Sequence, residues 1–145
     1  MLEIYEGPLP VFELYKRWEG EAIEKNLGAF CLFEGIVREE GDIEGLSFDI
    51  YEPLFLKWFE VWEQKAKDQK VFLRMAHSKG NVAKFQSSYM VALMSAHRKA
   101  ALSLYEDFIN DFKHSAPIWK YDIKNNERIY AKDRSFVLKG SGILS

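Results

Sequence analysis

A single cysteine, Cys31, leaves this 145-residue chain without an intrachain disulfide or a cysteine-rich metal site, and both absences suit a reducing compartment. His77 and His114 lack companions at metal-ligand spacing, so no metal site is expected. No apolar run approaches the roughly 18 residues a membrane helix needs. Met1 to Pro10 carries Glu3 and Glu6 where a signal peptide would have a basic start and an apolar stretch, and internal repeats and low-complexity tracts are missing. The expectation is a cytoplasmic protein. What is abundant is core material: 48% of the residues are hydrophobic and 15% aromatic, enough for one domain spanning residues 1–145 without help from crosslinks.

The formal net charge of −2 conceals an asymmetry. Met1 to Gln69 carries 7 Lys/Arg against 16 Asp/Glu, whereas Lys70 to Ser145 carries 13 against 6. An anion site is therefore sought in the second half, although a charge run can equally be a solvated face.

Val11, Leu14, Tyr15 and Trp18 recur at helical spacing and predict a short helix over 11–18. Ala29 to Phe33 is an apolar run between Gly28 and Gly35 and reads as a buried strand continuing to Arg38. Leu46, Phe48 and Ile50 alternate with polar residues, which predicts a second strand pairing back on the first as a hairpin through the turn at 39–45. Pro53 suits a helix start, and Phe55, Phe59, Trp62 and Ala66 carry that helix to about Gln69. A strand over 71–76, a turn region over 78–85 and a strand over 88–94 follow. A second long helix then begins near His97 and must end before Pro117. Residues 124–127 look like a turn, and a tail from about 134 to 145, with Gly140-Ser141-Gly142, is expected to be mobile. The class is α+β, with an antiparallel sheet and two long helices.

Two stretches could carry chemistry. Ser95-Ala96-His97-Arg98 lies where an apolar strand gives way to a helix, so free backbone N–H groups, the positive helix end, an imidazole and a guanidinium coincide, as an anion site would require. The plainer reading makes Ser95 a helix cap with His97 and Arg98 on a solvated first turn, where cations oppose the helix dipole. Lys113 and Lys120 flank a break at Pro117 and could converge on one pocket, binding phosphate or acting as acid, base or nucleophile, unless both are simply exposed. Arg38 ends the first predicted strand. Cys31 reads as a small core residue, because a reactive thiolate needs exposure and nearby positive charge.

Taken together, Gly35-Ile36-Val37-Arg38, Ser95-Ala96-His97-Arg98, Lys113 and Pro117-Ile118-Trp119-Lys120 resemble, in order and spacing, the large, catalytic subunits of molybdopterin synthase, with His77 and Gly80 in support. The resemblance covers about Gly28 to Asp122. It implies an α/β hammerhead fold and a central homodimer of large subunits, flanked in a heterotetramer by small ubiquitin-like subunits. Each small subunit's C-terminal Gly-Gly carries a thiocarboxylate. It further implies a sulfurtransferase that converts cyclic pyranopterin monophosphate into the dithiolene of molybdopterin, with no permanently bound cofactor. Carried over residue by residue, Arg38, His97 and Arg98 would bind the substrate phosphate and pterin. Lys113 and Lys120 would bind substrate and catalyse, and Ile36, Val37, Tyr121 and Asp122 would shape the pocket. The chain departs from the family pattern at Ser78, where many relatives have arginine, and at Lys84-Phe85, which replaces a Pro-Gly turn. The alternatives are a non-catalytic anion- or pterin-binding module, a nucleic-acid binder using the basic second half, and a dimeric scaffold for a small partner.

Overall fold

The computed structural model describes residues 1–131, and the tail expected to be mobile lies outside them. Ten elements follow in order: β1 (Leu2–Glu6), α1 (Val11–Glu24), β2 (Ala29–Ile36), β3 (Gly45–Ile50), α2 (Glu52–Asp68), β4 (Phe72–Ala83), β5 (Ser87–Ser95), α3 (Arg98–Ser115), β6 (Ile118–Lys124) and β7 (Glu127–Tyr130). The strands run β2-β5-β4-β3-β6-β7, and β1 lies parallel to β4. The architecture is α+β, as expected from the sequence.

β5 organises the core because it is buried along its whole length. Tyr89, Val91 and Leu93 meet Phe55, Phe59 and Trp62 of α2 and Leu104, Phe108 and Phe112 of α3. Met90 and Ala92, on the alternate positions, meet Leu14 and Trp18 of α1. The sheet is thus covered on both faces. Asp111 on α3 accepts hydrogen bonds from the indoles of Trp58 at 2.9 Å and Trp62 at 2.6 Å, tying the two long helices together. Burial opposes ionisation of Asp111, but the hydrogen bonds from Trp62, Ser115 and Trp58 outweigh it and hold its pKa below the ordinary carboxylate value.

The expected hairpin does not form: β2 pairs with β5, whereas β3 pairs with β4 and β6. The connection cannot turn back on itself because its two ends are fixed in different places. Val37 N–H donates to Gln86 O, beside β5, and Glu44 N–H donates to Ile123 O, on β6. The expected turn over 78–85 is likewise mostly strand. Residues 72–77 of β4 pair with β5, residues 75–79 with β1, and residues 80–83 with β3, so one strand passes from one set of neighbours to another. Gly80 sits at this exchange with φ +79°, and a Cβ there would come within 2.6 Å of the Glu6 carboxylate. Only residues 84–86 turn, with Phe85 at φ 73°. The first helix runs beyond Trp18 to Glu24, and β1, β6 and β7 add strands where the sequence pattern was weak.

Candidate functional site

α3 holds the two cationic stretches apart. At its N-terminus His97 is the extended residue before the first turn, and its side chain makes no capping bond. Ser95 performs the capping instead: its Oγ accepts the Ala101 N–H at 3.2 Å and donates to His97 O at 2.5 Å. The first turn contains Arg98 and Lys99 and no acidic residue, so exposed cations stand at the positive end of the helix dipole. His97 borders a shallow hollow of about 510 Å³ with Lys70, Ser95 and Lys99, and Arg98 borders a neighbouring one of about 300 Å³ with Gly28, Phe30 and Cys31.

The last turn of α3 carries Lys113 and His114, where cations suit the dipole. Lys113 is exposed, with its Nζ 6.0 Å from the centroid of the Tyr89 ring. Beneath it lies an aromatic floor. Phe112 stacks on Tyr89 at 4.6 Å, and His77 lies 5.8 Å from Tyr89, 5.7 Å from Phe112 and 5.1 Å from Phe48. Phe48 pairs across the sheet with Lys120, and directly opposed residues share a face, so Lys120 departs from the same sheet face as Phe48, on the other side of Pro117 from Lys113. Asp122, opposite Leu46, shares the face of Lys120. Tyr121 falls on the reverse face, where the Arg128 guanidinium stacks 3.9 Å from its ring. Burial, reinforced by neighbouring Asp49, raises the Tyr121 pKa.

The Gly35 to Arg38 stretch joins the same end. Val37 is buried with Phe48 and Val82, while Ile36 is exposed and Arg38 extends into solvent, 3.7 Å from Glu40. The structure therefore brings Ile36, Val37, Arg38, Lys113, Lys120 and Asp122 to one end of the sheet. It leaves His97 and Arg98 at the other, where Ser95 pairs with Ala29. Fifteen residues of helix separate Arg98 from Lys113, which is about 22 Å at the α-helical rise per residue.

His77 is the residue the sequence pattern did not nominate for this end. It is fully buried, its Nδ1 lies 2.7 Å from Ser78 O, and its pKa is lowered to about 4 by burial, with the Lys113 charge adding to the effect. Its place amid Phe48, Phe55, Tyr89 and Phe112 is a tertiary fact, and only the apolar flanks of β4 hint at burial. Cys31 is half-buried against the α2/α3 core, and burial raises its thiol pKa, in agreement with the core role expected for it. Among the described residues no group of three His, Cys, Asp or Glu side chains is arranged to hold a metal, and no helix is long and apolar enough to cross a membrane.

This geometry belongs to a recognisable group of proteins. The MoaE protein family matches residues 5–115. A molybdopterin synthase catalytic subunit from Helicobacter pylori (strain ATCC 700392 / 26695) is 59% identical over 145 residues, covering all of both chains. Among solved structures, the complex of subunits 1 and 2 of the molybdopterin-converting factor from Helicobacter pylori 26695 contains a chain that superposes with a TM-score of 0.95 at 59% identity, over 99% of each chain. Molybdopterin synthase from Staphylococcus aureus superposes with a TM-score of 0.76 at 25% identity, over 88% of this chain and 94% of its own. With the family matched over most of its length and a relative this similar from end to end, the chain belongs to the MoaE family.

Proposed function

We propose that this chain is the catalytic subunit of a molybdopterin synthase. In this reading it transfers sulfur from the thiocarboxylated C-terminal Gly-Gly of a small ubiquitin-like subunit to cyclic pyranopterin monophosphate, giving the dithiolene of molybdopterin. The catalytic-subunit function follows from relatedness over the full length of both chains. The similar structure that contains both subunits of a converting factor supports a small partner. The sulfur transfer rests on one observation above all. Lys113, from the end of α3, lies over the Tyr89 ring, Lys120, from β6, shares a sheet face with Phe48 of the same aromatic floor, and the exposed Arg38 lies at this end of the sheet. An anionic tail entering there would meet ammonium groups next to low-polarity walls, where a charge interaction is stronger than in water. Lys113 polarises the electrophilic carbon or the thiocarboxylate carbonyl, and Lys120 stabilises developing negative charge or assists proton transfer. Sulfur arrives on the partner, since Cys31, half-buried with a raised pKa, is unsuited to carry it. No resident cofactor is needed, and the reaction belongs in the reducing cytoplasm.

The separation of His97 and Arg98 from Lys113 has a direct consequence. One pocket can include both groups only if a second copy presents the N-terminus of its α3 to the lysine end of the first, as a two-fold homodimer does twice over. Tyr121 and Asp122 then contribute differently: Asp122 on the lysine face, Tyr121 as part of the reverse face that holds β6 in register with β7.

Subunit mixing tests both the activity and the shared pocket. Lys113→Ala and Arg98→Ala proteins, each loaded with thiocarboxylated partner, are assayed separately and after dissociation and remixing, at a substrate concentration far below saturation, where the weakened binding of Arg98→Ala leaves it little product. Shared pockets give one intact site in each mixed dimer, so random mixing restores about a quarter of wild-type single-turnover product. Remixing that restores nothing, although mixed dimers form, would mean that each pocket is built within one chain. Absence of product from the folded wild-type complex would leave a binding or scaffold protein.

A further inference from the structure

Tyr89 stands out among the core residues of this end. It is only 4% exposed, and its ring fills space that only a glycine at position 35 leaves open: a Cβ on Gly35 would come 2.5 Å from the ring. Phe112 stacks on it at 4.6 Å, His77 at 5.8 Å, and Phe33 leans on it at 5.1 Å. A ring gripped on so many sides has one available orientation. Above it lies the ammonium of Lys113, 6.0 Å from the ring centroid, at the outer limit of a cation–π contact. Lys113 also follows Phe112 directly in the chain, so the stacking that fixes Phe112 fixes the backbone from which Lys113 departs. The side chain of Lys113 is otherwise exposed and long, with several rotatable bonds to lose before it can meet a reacting carbon in one geometry.

We propose that Tyr89 is a positioning residue for Lys113, its ring serving as a fixed platform that holds the ammonium over the floor of the pocket. Gly35 is part of the same device, since it makes room for the platform. The ring, not the hydroxyl, performs this role. The Tyr89 hydroxyl is buried and makes no hydrogen bond among the described residues, so it offers Lys113 no polar partner that phenylalanine would lack. This inference rests on the catalytic reading of Lys113, and the test separates the two.

Wild-type, Tyr89→Phe, Tyr89→Leu and Lys113→Ala proteins are prepared as complexes with the thiocarboxylated small subunit. Each is assayed in single turnover with cyclic pyranopterin monophosphate at saturation, and its affinity for the small subunit is measured. In parallel, lysine-selective 13C labelling, with Lys113→Arg for assignment, reports the Lys113 Hε and Cε signals. A side chain held over a ring face shows an upfield ring-current displacement. The expected result is that wild type and Tyr89→Phe share this displacement and a common rate. Tyr89→Leu should lose the displacement and at least tenfold in rate while binding the small subunit unchanged. A Tyr89→Leu rate equal to wild type overturns the proposal, as does a lower rate with the Lys113 signals unmoved, because the effect would then be structural. A Tyr89→Phe protein that loses activity with Lys113 still displaced overturns it too, by assigning the role to the hydroxyl. Should Tyr89→Leu fail to fold, the wild-type spectrum decides: Lys113 signals at their solvent-exposed positions refute the platform. An undiminished rate in Lys113→Ala would instead refute the catalytic reading, whatever the displacement shows.

Discussion

The two ends of α3 carry similar cations in opposite electrical settings. At the start, His97, Arg98 and Lys99 stand at the positive pole of the helix with no acidic residue in the first turn and no side-chain cap from His97. At the finish, Lys113 and His114 stand at the negative pole, Lys113 above aromatic rings. Cations at a helix start are mildly unfavourable until an anion arrives, so the first end is suited to capturing charge. At the second end the dipole already favours the ammonium, and the packed floor restricts where it can go, which suits a group that must meet a reacting atom. On the proposed function, this contrast assigns the capture of substrate charge by α3 to its start and the chemistry to its finish.

Kinetics can break that division. Lys113→Ala should lower the single-turnover rate at saturating substrate by about 100-fold, the usual scale for removing one electrostatic group from a reacting centre, and leave substrate affinity nearly unchanged. Arg98→Ala should do the reverse, weakening substrate binding about tenfold or more through loss of a charged hydrogen bond to phosphate, with little change in the saturated rate. Added salt should weaken substrate binding to wild type more than to Arg98→Ala, because the variant has already lost part of the attraction that salt screens. If the two variants show the same pattern of rate and affinity loss, the ends do not have separate roles.

Acid should loosen the lysine end before the other. His77 is neutral in the folded protein near pH 7, with its pKa lowered to about 4 from the ordinary imidazole value of 6.5 by burial, whereas in the unfolded chain it titrates freely. Between those values the unfolded state binds the extra proton, so the stability due to keeping His77 neutral is fully present above about pH 6.5 and is lost as pH falls toward 4. The loss amounts to about 3 kcal/mol across that window. Urea midpoints measured from pH 7 to pH 4 should fall for wild type and fall less steeply for His77→Gln. Identical pH slopes in the two proteins would remove His77 as the acid-sensitive group.

How much of this contrast could be read from the chain alone depends on distance along it. The two long helices were legible because their apolar positions recur every three or four residues: Phe55, Phe59, Trp62 and Ala66 on α2, and Ala101, Tyr105, Phe108 and Phe112 on α3, where Tyr105 is half-buried and Leu104 is buried in its stead. Both cationic stretches were legible too, since each lies at a helix end that Ser95 or Pro117 marks. Pairing was less so. The alternation of Leu46, Phe48 and Ile50 announces a strand without naming its neighbour, and β3 joins β4, which follows α2, and β6, which follows α3, instead of its predecessor β2. β4 was read too short because Gly80 in mid-strand looks like a turn, and only the approach of Glu6 from β1 explains it. The platform beneath Lys113 was invisible for the same reason. Gly35, His77, Tyr89 and Phe112 lie on four different elements, and nothing in the unbroken apolar run from Tyr89 to Met94 of β5 distinguishes Tyr89 from Val91. Equally hidden was the gap between Arg98 and Lys113, since a motif records order while a straight helix converts fifteen residues into length.

The smallest effect belongs to the start of α3, and it sharpens the comparison by perturbing one end alone. Ser95 fastens the first turn from below, accepting from Ala101 N–H and donating to His97 O. Ser95→Ala removes both bonds, leaves the buried Ala101 amide only its place in the helical ladder, and should cost about 1 kcal/mol, seen as a lower urea midpoint with an unchanged slope. Hydrogen exchange at Ala101 should quicken, while exchange near Phe112 follows only the global loss. Because His97 and Arg98 then sit on a looser turn, substrate affinity should fall modestly and the saturated rate should hold. A saturated rate that drops as far as in Lys113→Ala would mean that order at the start of α3 is transmitted to the lysines, either along the helix or across a dimer interface. The subunit-mixing experiment decides between those routes, since only the second lets an intact Ser95 on one copy support the Lys113 of the other.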